Sequence, residues 1–153
     1  MANHHSLADS GCLDALQARL AQIKPTTTRQ WGKMTPHAML CHLSDSFLAV
    51  SGERPASTAE TWFSRTVVKY IALHTSMPWP KGVPTRPEVD QEQGGTTPGD
   101  FARDHETVAE LLRRFATSDL STARHPVFGV MTRAEWLVWG YRHVDHHLRQ
   151  FGL

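Results

Sequence analysis

An all-α fold is what this sequence predicts, and three observations predict it. Five segments repeat apolar side chains at spacings of three and four, three of them open on helix-capping signals, and no stretch reads convincingly as a strand. A chain of 153 residues is long enough to close one hydrophobic core and short for two. Residues 1–153 therefore read as a single helical-bundle domain, with residues 1–6 as a flexible tail and a long proline-rich connection near the middle.

The first helix is expected over about Leu7 to Ile23, where Leu13, Leu16, Leu20 and Ile23 share one face and Pro25 stops the run. The second opens at "KMTPHAML": Thr35 can cap, Pro36 suits the first helical position, and Gly52 ends it just beyond Val50. Its apolar stripe is Leu40, Leu43, Phe47 and Val50, and beside it runs a small or polar stripe of Ala38, His42, Asp45 and Ala49. The third, near Glu60 to His74, is an additional short helix that carries Phe63, Val67, Tyr70, Ile71 and His74 at helical spacing. Residues 75–99 then carry prolines at 78, 80, 84, 87 and 98. So long a connection reads as an ordered crossing over one end of the bundle, with Met77 and Trp79 as apolar anchors. The fourth helix is expected to start at "TTPGDF" with Thr97 as cap, burying Phe101, Val108, Leu111, Leu112 and Phe115. The fifth starts at the capping box of Thr132 and Glu135 and runs to the C-terminus.

Charge and composition narrow the function. With 16 basic and 15 acidic side chains and no basic block, the chain lacks the surplus a nucleic-acid binder needs. No run approaches the length of a membrane span, and no secretory signal is visible. Two cysteines without a CxxC motif argue against a disulfide scaffold and for a reduced, cytoplasmic setting. A small-molecule substrate is the remaining partner class.

Histidine is the unusual residue, at ten copies. On the fifth helix Leu137, Tyr141, Val144, Leu148 and Phe151 form a core stripe, and Trp136, Gly140, His143 and His147 run alongside it. Imidazoles four residues apart can converge on one ion, although His143 with His146 is an alternative pair. A third ligand must come from a facing helix, and His42 on its small-residue stripe is the candidate. Three histidines leave a coordination position open, the pattern of catalytic rather than structural zinc. Gly140 would leave space beside the ion, and Asp45 reads either as an acceptor of a hydrogen bond from a ligand histidine or as a plain surface carboxylate. Arg142, Asp145, His146 and Arg149 fall on the opposite, solvent side. Against this stands a plainer reading, in which the histidines are hydrogen-bonded core or half-exposed groups. Cys41 reads as a small buried hydrophobe, His37 as exposed, His4 and His5 as tail, and Trp136 and Trp139 as core.

The segment "HVDHHLRQF" resembles the terminal motif of the DinB/YfiT-like metalloenzyme superfamily, in which H-x-x-H-H precedes a glutamine three residues later, here Gln150. Paired with "WGKMTPHAMLCHLSDSF", it is similar to a branch classed as a domain of unknown function, over about Leu13 to Leu153. The resemblance implies a four-helix bundle and three metal-ligand histidines falling on His42, His143 and His147. It also implies a divalent ion such as zinc or nickel, frequent homodimers and, in some relatives, chemistry on a low-molecular-weight thiol. This sequence ends H-H-L-R-Q where the common ending is H-H-R-G-Q, so Arg149 stands one position later than the familiar arginine.

Overall fold

The computed structural model describes residues 5–153, and the chain is mostly helical. Five α-helices are found among the described residues: α1 Cys12–Leu20, α2 Pro36–Val50, α3 Lys69–His74, α4 Phe101–Thr117 and α5 Arg133–Gln150. A π-helical turn at Ser64–Val68 leads into α3, and a 3-10 turn at Pro87–Val89 interrupts the long connection. Helix α2 lies along α4, α1 lies along α5, and α4 also touches α1 and α5. Their shared core includes Leu16, Leu20, Leu40, Leu43, Phe47, Val108, Leu112, Trp136, Val144 and Leu148.

The caps explain where the helices begin. Thr35 accepts from the Ala38 amide with Pro36 at the first helical position, so α2 starts where the sequence places it. At α5, Thr132 and Glu135 close a reciprocal capping box. Helix α4 starts later than expected, because Asp100 rather than Thr97 caps it, accepting from the Arg103 amide at 2.8 Å. Helix α1 is shorter than the apolar spacing implies. Gly11 takes a left-handed φ of 77°, so residues 7–10 form turns and the helix starts only at Cys12.

The apolar residues at helical spacing in the third segment face solvent: Phe63, Val67, Tyr70 and Ile71 are exposed, Tyr70 by 62%, and only Leu73 of α3 is buried. The spacing was helical, but α3 packs by its opposite edge against α5. The sequence also concealed a two-residue hairpin, β1 Arg124–His125 with β2 Gly129–Val130, too short to carry an alternating pattern. Of the expected tail, residues 1–4, His4 included, lie outside the described residues. His5 sits near Tyr141, with ring centroids 5.3 Å apart, and the Leu7 amide donates to the Leu137 carbonyl.

The proline-rich connection is held at both ends. Arg142 donates to the carbonyls of Ala72, Thr75 and Met77 at the entry, and lies against the ring of Trp79. At the exit the buried Asp45 carboxylate accepts from Gln91 Nε2, Thr96 N and Thr96 Oγ1 at 2.7–2.9 Å and pairs with Arg54. Arg54 in turn donates to the carbonyls of Glu88 and Gly94. Trp79 is half-buried with its Nε1 on Ala72 O, whereas the Met77 side chain is 57% exposed and anchors nothing. No helix among the described residues is long and apolar enough to cross a membrane.

Candidate metal centre

Helix α2 carries His42, and α5 carries His143 and His147 one turn apart; across the interface the three rings offer nitrogen atoms all within 4.8 Å of one another. His42 Nε2 stands 3.2 Å from His143 Nε2. Two nitrogens bound tetrahedrally to one ion at about 2.0–2.1 Å lie roughly 3.3–3.4 Å apart, so this separation is close to that of two ligands on a common ion. His42 and His143 are buried and His147 is half-buried. His146 is not part of the cluster; it packs between Trp31 and Trp79.

Hydrogen bonds fix which nitrogens face inward. A carbonyl can only accept, so at 2.8 Å from Val89 O the His42 Nδ1 must carry the proton, leaving Nε2 with its lone pair. The Gln150 amide donates Nε2 to Trp31 O at 3.2 Å, which turns Oε1 toward His147. His147 Nδ1 therefore donates to it at 3.1 Å, and again Nε2 is left free. His143 Nδ1 is buried without a hydrogen-bond partner among the described residues, between the rings of Trp139 and Trp79.

Burial lowers the pKa of all three rings, those of His143 and His147 well below the ordinary histidine value, and at those two the neighbouring histidines push it further. The backbone bond to Val89 and the carboxylates of Asp45 and Asp90 oppose this at His42, and the Gln150 bond opposes it at His147. The site is thus hostile to a proton yet built from neutral imidazoles. A proton satisfies one lone pair, whereas a divalent cation satisfies several and carries the charge needed to offset desolvation. The donor set fits such an ion.

The flanking residues depart from the sequence reading in several ways. Asp45 makes no hydrogen bond to a histidine; its bonds go to the 91–96 segment and Arg54, beside the turn that supplies Val89. Gly140 leaves no open space: a Cβ there would fall 2.6 Å from Phe115 Cε1 and 2.9 Å from Leu7 Cδ1, so its bareness serves helix packing. Arg142, Asp145 and His146 are half-buried rather than solvated, Asp145 taking Arg19 at 2.7 Å. Only Arg149 is exposed, paired with Asp145 one turn back. Sequence reasoning missed Val89 and Trp31, which act through backbone carbonyls and so have no side-chain signature.

Cys41 is buried one residue before His42, but its thiol faces Asp104 and is pushed up to about 12, first by burial and then by that carboxylate. It is not poised as a nucleophile.

The family model described as "Protein of unknown function (DUF1569)" matches residues 13–152. The chain belongs to this family. DUF1569 membership covers every residue of the candidate centre and brings no activity with it. No curated protein and no solved structure matches the chain.

Proposed function

We propose that this DUF1569 chain is a metal-dependent enzyme of the DinB/YfiT-like kind, a four-helix bundle in which His42, His143 and His147 hold one divalent ion such as zinc or nickel. The observation that carries the reading is the pair of facing Nε2 atoms on His42 and His143, 3.2 Å apart, with the other nitrogen of His42 already committed to a carbonyl. When bound, the ion supplies Lewis acidity that lowers the pKa of a water or a low-molecular-weight thiol. Val89 and Gln150 hold the rings of His42 and His147 in the tautomer a ligand needs. Trp79 packs beside His143 on one side of the cluster. Hydrolysis and thiol transfer are both open to such a centre, on a small-molecule substrate.

A second reading keeps the histidines as polar core or as a non-catalytic ligand site. It is favoured by the same 3.2 Å separation, which also suits an Nε2–H of His143 donating to His42. Metal content of tag-free protein separates the two. About one zinc or nickel per chain, lost when His42, His143 and His147 are all replaced by alanine, supports the enzyme reading and directs hydrolysis and thiol-transfer assays to that ion. Metal-free protein that takes up no ion on reconstitution leaves the polar core.

A further inference from the structure

Helix α2 carries a second set of donors that faces α4 instead of α5. His37 and Cys41 stand one turn apart on α2, and Asp104 occupies the first turn of α4. The Asp104 Oδ2 atom lies 2.7 Å from His37 Nε2 and 3.6 Å from Cys41 Sγ, and one donor atom from each residue falls within 4.8 Å of the others. The Gly99 amide donates to the same oxygen at 3.1 Å and fixes the carboxylate.

We propose that His37, Cys41 and Asp104 form a nitrogen, sulfur and oxygen site for a thiophilic divalent cation of the zinc class, distinct from the three-histidine cluster. The separations argue for it. Sulfur and oxygen ligands at about 2.3 and 2.1 Å from a tetrahedral ion lie roughly 3.6 Å apart. The observed sulfur-to-oxygen distance is 3.6 Å and already suits such an ion, whereas the His37–Asp104 pair, now closed into a 2.7 Å hydrogen bond, has to open. That opening amounts to roughly 0.6 Å, a side-chain adjustment that moves neither helix. The side chains of His37 and Asp104 are 22% and 23% exposed while Cys41 lies behind them, so an ion enters from solvent on the imidazole and carboxylate side and keeps a water there.

Binding replaces the Cys41 S–H proton, which leaves to solvent, and the proton that His37 Nε2 donates to Asp104 passes through solvent to Nδ1 of the same ring, so that a neutral imidazole presents its Nε2 lone pair while thiolate plus carboxylate neutralise the ion. The three-histidine cluster offers only neutral donors. The second site is therefore suited to cross-bridging α2 and α4 rather than to activating a ligand.

The test is titration of metal-free protein with Co2+ under reducing conditions without added thiol, read by near-ultraviolet thiolate-to-metal charge-transfer absorption. This band reports sulfur coordination alone, so its outcome is independent of any ion on the three histidines. The wild-type chain is expected to develop the band to one equivalent and to keep it in Cys12→Ser and His143→Ala. The band is expected to disappear in Cys41→Ser and to weaken in His37→Gln and Asp104→Asn, each checked for native helix content by circular dichroism. No band at saturating Co2+, or a band that survives Cys41→Ser or vanishes with Cys12→Ser, overturns the proposal.

Discussion

His125 and the His42–His143–His147 cluster are both largely desolvated imidazole environments with lowered pKa values, yet they meet that desolvation in opposite ways. His125 sits in the hairpin, where its Nδ1 accepts from the Val127 and Phe128 amides at 3.1 Å each, so the ring's lone pair meets donors. In the cluster, ring nitrogens meet one another, the free Nε2 lone pairs of His42 and His147 among them. The first arrangement ties a turn through backbone donors; the second gathers nitrogens where burial disfavours an added proton. A depressed histidine pKa therefore does not identify a functional group by itself. What the inward nitrogens face does.

The sharpest break of that comparison is single substitution on each side. His143→Ala is expected to abolish stoichiometric binding at the cluster, while His125→Ala leaves binding intact and destabilises the fold by about 1–3 kcal/mol, the cost of stranding buried amides. Elemental analysis and urea unfolding read the two effects. Equal loss of metal in both variants would erase the distinction.

Next in size is Gln150→Ala. Gln150 orients His147 from one side and holds Trp31 O from the other. Removing such a partner is expected to weaken metal affinity by about 10–100-fold, measured against a competing chelator. Unchanged affinity would mean that the tautomer of His147 is set without it.

Acid sharpens the comparison from the other side. Burial pushes the His125 pKa down to about 3. Because the folded value lies below the unfolded one of about 6.5, the contribution of His125 to stability is fully present above pH ~6.5. It is lost progressively as pH falls from there toward about 3. His125→Asn keeps an acceptor for the two amides but takes up no proton, so stability measured across this window should fall less steeply in the variant than in the wild-type chain. Identical slopes would show that His125 already charges freely in the fold.

Much of this contrast was legible in the sequence, and the reasons are local. Capping boxes and i, i+4 spacing are read from neighbouring side chains, so α2, α5 and the shared face of His143 and His147 were legible, while His42 on a facing helix was a candidate that the resemblance supported. The environment of each ring was not legible, because Val89 O, Trp31 O and the two amides at His125 are backbone groups that any residue supplies. The exposure of Phe63, Val67, Tyr70 and Ile71 was not legible for a different reason: periodicity says that a helix has two faces, not which one the rest of the chain covers. Gly140 was placed correctly beside the histidines but assigned the wrong neighbour, since Phe115 comes from α4 and its approach depends on tertiary packing.

The smallest predicted effect lies at Arg149, the position where the motif departs from the common ending. Its guanidinium is exposed and pairs with Asp145 four residues earlier, and Asp145 is held independently by Arg19. An exposed i, i+4 pair contributes about 0.3–0.5 kcal/mol. Arg149→Ala should therefore leave metal content unchanged and move the urea midpoint barely, because the pair neither orders a ligand nor shields the cluster. A large loss of metal in this variant would place Arg149 functionally with the histidines despite its distance from solvent-excluded ground, and would mean that the shifted arginine still acts on the centre.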